Sequence, residues 1–163
     1  YYLIQFGHND QPGKGPDRET DPATTYPENL GRYVDEVRAI GAQPILVTSL
    51  ARRNFDPAGS GHLVDTLGPY ADAVKKVAAE KHVPLIDLHA RSLAYCEKLG
   101  PDGCAALNPR KPDGTADTTH LDAAGSVVFA RLVADDLRTA VPALAPFLLS
   151  TAAEKAEGTP PTR

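Results

Sequence analysis

At 163 residues the chain has room for one domain and little more. Hydrophobic residues make up 42% and charged residues 23%, a balance that excludes global disorder, and no apolar run approaches the roughly 18 residues a bilayer span needs. The net charge of -4 provides no electrostatic footprint for nucleic acid.

The sequence contains no methionine and opens directly on an apolar strand at residues 1–6, Tyr-Tyr-Leu-Ile-Gln-Phe. It therefore reads as the carboxyl-terminal part of a longer protein. A loop rich in Gly, Pro, Asp and Thr follows to about Thr25. Pro27 suits the first turn of a helix, where its missing N–H does no harm. Leu30, Tyr33, Val34, Val37 and Ile40 then share a helical face, and Gly41 is placed to end it. Residues 44–48 (Pro-Ile-Leu-Val-Thr) form a second strand, followed by a long polar loop over residues 49–65. Leu67, Tyr70, Val74 and Val77 mark the next helix, residues 83–87 (Val-Pro-Leu-Ile-Asp) a third strand, and residues 90–99 a further helix. Residues 100–120 lack periodicity. The last long helix starts at Asp122 as N-cap and turns Val128, Leu132, Val133 and Leu137 inward. Residues 1–145 make up the domain portion and 146–163 a flexible tail, whose Ala, Glu, Lys, Pro and Thr have nothing to bury beyond Thr151.

Short apolar strands alternating with helices predict an α/β fold: three layers, α/β/α, around a mostly parallel sheet buried on both faces. In such open sheets the ligand site lies outside the carboxyl ends of the strands. Those ends carry Gly7-His8-Asn9-Asp10, the loop over residues 49–65 and the segment after Asp87. Cys96 and Cys104 are the only cysteines. Their spacing allows a short-loop disulfide, which would suit an oxidising compartment and a secreted or periplasmic location. The alternative is two unpaired thiols. The spacing matches no common zinc motif.

Two constellations carry chemistry. Gly7 lets the backbone turn sharply after the first strand, and the Asn9 amide can present an N–H above the sheet. Asp117-Thr118-Thr119-His120 stands in a loop before the last helix. Across that spacing a carboxylate can accept from His Nδ1 and leave Nε2 free as a base. Each alone is equally readable as a turn or a helix cap. In this order and at these positions the two blocks resemble those of the SGNH/GDSL hydrolases. Gln5-Phe6-Gly7-His8-Asn9-Asp10, Arg52-Arg53-Asn54-Phe55 and His120-Leu121-Asp122-Ala123-Ala124-Gly125 are most similar to the rhamnogalacturonan acetylesterase branch. The resemblance covers the chain up to about Ala140. It implies a flavodoxin-like hydrolase fold truncated at its amino-terminal side.

The resemblance also implies roles. Asn9 would donate to the oxyanion, His120 would act as general base and then acid, and Asp117 would orient His120. The family's serine stands in a Gly-Asp-Ser block at the first strand, and a second block supplies a glycine N–H. Neither block occurs here, and Ser49, Ser60, Ser92, Ser126 and Ser150 all follow Asn9. The 163-residue chain alone is therefore expected to be inactive, and its intact parent to be a carboxylic ester hydrolase. His8 is a substrate contact or a holder of its loop. Arg52 and Arg53 offer forks for a galacturonate carboxylate, the alternative being solvated surface charge. Phe55 can stack on a sugar ring or pack inward.

The implied substrate is an acetylated plant cell-wall polysaccharide or oligosaccharide. No metal or organic cofactor, no nucleic acid and no membrane are implied, and a monomer is expected. Competing readings are an esterase for xylan acetate, a lipid or a thioester, and a non-catalytic sugar-binding descendant of the fold. A phosphate or nucleotide binder lacks its Gly-rich loop after any strand present.

Overall fold

A computed structural model describes residues 1–148 of the chain; residues 149–163, and with them most of the tail expected to be flexible, lie outside the described residues. Three short strands, β1 (Tyr2–Ile4), β2 (Pro44–Val47) and β3 (Leu85–Ile86), form a parallel sheet in the order β1-β2-β3. Between and after them run α1 (Thr25–Ala39), α2 (Gly68–Lys81), α3 (Leu88–Ala105) and α4 (Ala123–Ala140), with a 3-10 turn over Pro142–Phe147.

The sheet divides the core in two because side chains alternate along a strand. Leu46 of β2 joins Ile4, Leu30, Val34, Val37, Val74 and Val77 beneath α1 and α2. Its neighbours Ile45 and Val47 point the other way, to Ile86, Cys96, Phe129 and Leu137 beneath α3 and α4. Ile45, Leu46 and Ile86 are fully buried, and each such side chain contributes about 1.5–3 kcal/mol. These are the three layers that the alternation of strands and helices predicts.

The helices follow their punctuation. Pro27 sits in the first turn of α1, and Gly41 turns the chain after it at φ 78°. The four apolar residues expected on the inner side of the second helix, Leu67, Tyr70, Val74 and Val77, are all buried. The Asp122 carboxylate caps α4 by accepting from the Gly125 N–H at 2.7 Å. α3 extends past its expected end. It kinks at Gly100, whose φ of 76° breaks the helical run before Pro101 resumes it.

Two expectations are corrected. Tyr33 and Ile40, assigned to the inner face of α1, are 41% and 75% exposed. They stand beside the outer edge of β1, where no strand of the described residues covers the sheet, and with Tyr2, Leu3 and Phe6 they line an apolar groove of about 460 Å3. Cys96 and Cys104 are free thiols, not a disulfide. Both are buried within the kinked α3, and the Cys104 thiol donates to the Cys96 carbonyl at 3.5 Å. Burial pushes the Cys96 thiol up to about 12, so both remain protonated at neutral pH.

Candidate active site

The carboxyl ends of the three parallel strands open on one side of the sheet, and the loop before α4 folds over that side. Together they enclose a cleft of about 730 Å3. Its wall includes Gly7, His8 and Asn9 from the β1 loop, Arg52 from the β2 loop, and Asp117 to His120 from the loop before α4. Lys14, Arg52 and Lys111 place cations around it.

The β1 loop is built around one glycine. Gly7 has φ 128°, and a Cβ there would stand 2.3 Å from Ser49 Oγ. That hydroxyl donates to the Phe6 carbonyl at 2.5 Å, joining the ends of β1 and β2. The Asp10 carboxylate accepts from the Gly7 N–H and the Thr20 hydroxyl, both at 2.9 Å, and Tyr70 Oη reaches the Asp10 carbonyl at 2.9 Å. Asp10 therefore holds the turn, and the following exposure of Asn9 to the cleft is a product of that turn.

Asp117 sits inside a ring of donors. Its Oδ1 accepts the N–H groups of Thr119 at 2.9 Å and His120 at 3.0 Å, and its Oδ2 lies 2.7 Å from His120 Nδ1. The backbone N–H of His120, its ring and the Thr119 N–H hold the carboxyl far below the usual carboxylate range. An ionised carboxylate only accepts, so His120 Nδ1 carries the ring proton and Nε2 keeps its lone pair. The His120 side chain is 78% exposed, and Nε2 has no hydrogen-bond partner among the described residues. Such a base takes a proton from a hydroxyl and returns it to a leaving oxygen.

His8 is of another kind. Its ring is largely buried and donates to the Leu50 carbonyl, while Nε2 has no partner. Burial, reinforced by the neighbouring Arg52 charge, lowers its pKa to about 4. It is a neutral wall residue.

The two arginines separate. Arg52 lines the cleft but is committed to Gln11, to the Thr66 hydroxyl at 3.0 Å and to the His8 carbonyl at 3.3 Å. Arg53, expected as a fork for a substrate carboxylate, is only 3% exposed. Its Nε donates to Asn108 Oδ1 at 2.5 Å and its Nη2 to the His120 carbonyl. Phe55, expected to stack on sugar, pairs its backbone with Leu63 and packs against the α3–α4 core. Adjacent residues of an irregular loop alternate between surface and interior, and no periodicity in the sequence says which does which.

Sequence reasoning missed a second acid–histidine pair. His89, at the start of α3, places Nε2 3.0 Å from Asp65 Oδ2 and Nδ1 3.1 Å from the Ser49 carbonyl. The partners are 24 positions apart, so only the fold joins them. Among the described residues no cluster of three or more His, Cys, Asp or Glu is arranged to hold a metal, and no helix is long and apolar enough to cross a membrane.

Comparison with known proteins gives the family of the chain. The rhamnogalacturonan acetylesterase RhgT of Bacillus subtilis is 41% identical over 145 residues, 84% of this chain and 60% of the relative. The probable rhamnogalacturonan acetylesterase YesY of the same organism is 34% identical over 138 residues, 85% of this chain and 62% of the relative. The chain thus spans about three fifths of these curated relatives. The crystal structure of Bacillus subtilis YxiM superposes with a TM-score of 0.69 at 30% identity, over 85% of this chain and 36% of that one. A mutant of Axe2, an acetyl-xylooligosaccharide esterase from a Geobacillus, superposes at 0.58 with 23% identity, over 83% of this chain and 57% of that one, a likeness of fold alone. The GDSL-like lipase/acylhydrolase family model matches residues 1–128, and the chain belongs to that family.

Proposed function

We propose that the whole protein is a carbohydrate acetylesterase that removes O-acetyl groups from a pectic polysaccharide of the rhamnogalacturonan type. The observation that carries this reading is the Asp117–His120 pair, closed at Nδ1 and open at Nε2, on a cleft that Asn9 also lines. The nucleophile is a serine in a part of the whole protein outside these 163 residues. His120 Nε2 takes the proton of that hydroxyl as its oxygen attacks the acetyl carbonyl. The carbonyl oxygen becomes an oxyanion, to which the Asn9 side-chain N–H donates. As the tetrahedral intermediate collapses, the protonated ring gives its proton to the departing sugar oxygen. Water repeats the sequence and releases acetate. Asp117 holds the ring throughout and stabilises its protonated form.

The cation rim supports an acidic polymer over a neutral one. The side chains of Lys14 and Lys111 are exposed at the cleft without hydrogen-bond partners among the described residues. With Arg52 they face the site a uronate carboxylate would approach. One relative is named a rhamnogalacturonan acetylesterase and another a probable one. The testing experiment measures acetate release by the whole protein from acetylated rhamnogalacturonan and from acetylated xylan. The expected result is a kcat/KM at least about tenfold higher on the acidic polymer, a difference of about 1.4 kcal/mol. Equal or faster release from xylan acetate overturns the pectic reading, and release from neither overturns the esterase reading.

A further inference from the structure

We propose that Arg53 is a positioning residue, which holds the Asp117–His120 turn at the cleft by gripping the His120 backbone from beneath. The inference rests on the esterase reading for the meaning of that turn, while the clamp itself is a matter of geometry.

The loop carrying the turn has no regular secondary structure between the end of α3 and the start of α4, apart from the isolated bridge of Arg110 with Ala116. Its ends are fixed on Leu107, whose carbonyl accepts the Asp122 N–H at 3.2 Å. That carbonyl approaches Gly125 so closely that a Cβ there would stand 2.6 Å away. The middle is held by residues 53 and 54. The Arg53 N–H donates to the Thr118 carbonyl at 2.9 Å, and the Thr118 hydroxyl donates to Asn54 Oδ1 at 2.5 Å. The Arg53 guanidinium then spans the loop. Nε takes the Asn108 side chain near its beginning, and Nη2 takes the His120 carbonyl itself.

Beyond the bonds at Thr118 and the Asp117 N–H, which donates to the Pro109 carbonyl at 2.8 Å, the His120 carbonyl has Arg53 as its partner. The His120 side chain is 78% exposed, and the contact of its ring with Asp117 depends on the shape of the turn whose His120 carbonyl Arg53 holds. A buried guanidinium is costly unless its hydrogen bonds justify it. Among the described residues no carboxylate pairs with Arg53, and Nη1 has no partner at all. A planar fork aimed at two neutral acceptors at opposite ends of one loop fits a geometric task, not charge pairing. The reason for such a cost is precision: a misplacement of about 1 Å at a reacting group can cost about 10²-fold in rate.

Arg53→Lys separates the fork from the charge, because an ammonium keeps the charge but cannot span Asn108 and the His120 carbonyl. Histidine ring nitrogens labelled with 15N report each tautomer directly. In the unaltered protein the neutral His120 ring is expected with its proton on Nδ1. In Arg53→Lys that preference is expected to weaken toward a mixture while the His89 signals, from the neighbouring fold, stay unchanged. In the whole protein kcat is expected to fall about 10- to 100-fold with KM unchanged. An Arg53→Lys protein with an unaltered His120 tautomer and a kcat within about twofold of normal overturns the inference. If that variant does not fold, Asn108→Ala decides, since it removes only the Nε partner. A fall in kcat with KM unchanged supports the clamp, and an unchanged kcat overturns it. Loss of ester hydrolysis by the unaltered protein would count against the esterase reading alone, because the tautomer still reports on Arg53.

Discussion

Two of the molecule's acid–histidine pairs have nearly the same length and opposite character; a third, His62 with Glu97 at 3.2 Å, is exposed and does not line the cleft. Asp117 and His120 meet at 2.7 Å on the cleft, with the histidine 78% exposed. Asp65 and His89 meet at 3.0 Å with the histidine side chain 5% exposed. The chemistry of the contact is the same, so the difference lies in the second ring nitrogen. In His120 it is unoccupied and faces the cleft. In His89 it is 3.1 Å from the Ser49 carbonyl, so both nitrogens are engaged within the protein and neither is open to a substrate hydroxyl. His89 and Asp65 instead tie the start of α3 to the β2 loop. Each Asp also accepts backbone N–H groups, those of Thr119 and His120 for Asp117 and those of Leu67 and Gly68 for Asp65. An acid–histidine contact is therefore no mark of catalysis until the other nitrogen is accounted for.

The comparison breaks first under alanine. In the whole protein His120→Ala is expected to lower kcat by about 10⁴-fold or more with folding stability nearly unchanged. His89→Ala is expected to do the reverse, leaving kcat within a few-fold and costing about 2–4 kcal/mol in denaturant unfolding. If His89→Ala abolished turnover in a folded protein, the assignment of roles would be wrong. Asp117→Asn sharpens the contrast at a smaller scale. The amide no longer fixes the Nδ1 proton, and kcat is expected to fall about 10³-fold with KM little changed. Asn9→Ala follows, at about 10²-fold in kcat, as the loss of one oxyanion donor. Steady-state kinetics on acetylated polymer read all four.

What the sequence disclosed follows the range of the interaction. Asp117 and His120 are three positions apart in one turn, so their contact needs no knowledge of the fold. The apolar stripe of α2 and the cap at Asp122 are likewise local. Asp65 with His89, and Arg53 with Asn108 and His120, are joined only when β2, β3 and the loop before α4 come together. Nothing in the string Arg52-Arg53-Asn54-Phe55 distinguishes the cleft arginine from the buried one. The stripe assigned to α1 went wrong for a related reason. Helical spacing shows which residues share a face but not whether a sheet lies under all of it. Tyr33 and Ile40 extend past the sheet edge at β1.

The smallest expected effect concerns the third histidine of the site, His8, which is neither open like His120 nor doubly committed like His89. Its Nε2 is buried without a partner, and burial together with Arg52 lowers its pKa from the ordinary 6.5 to about 4. An unfolded chain therefore takes up this proton near pH 6.5, whereas the folded protein resists it until about pH 4. Between those values protons favour unfolding, so the stability that neutral His8 provides is complete above about pH 6.5 and declines as pH falls toward 4. One proton sets a ceiling of about 1.4 kcal/mol per pH unit, and partial solvent screening of the ring lowers it. The depressed carboxyls of Asp65 and Asp117 act in a separate window. Burial opposes the shift at Asp65, but its bonds to His89 and to the N–H groups of Leu67 and Gly68 outweigh it. Both contribute stability above about pH 3.9 and lose it only as pH falls further. Denaturant midpoints measured from pH 7 to 4.5 should thus fall in the unaltered protein and fall less steeply in His8→Gln, which keeps a donor for the Leu50 carbonyl but cannot titrate. Parallel curves for the two proteins would mean that His8 takes up its proton equally readily in the folded and unfolded chain, and the burial of its Nε2 would then contribute nothing to the pH dependence of stability.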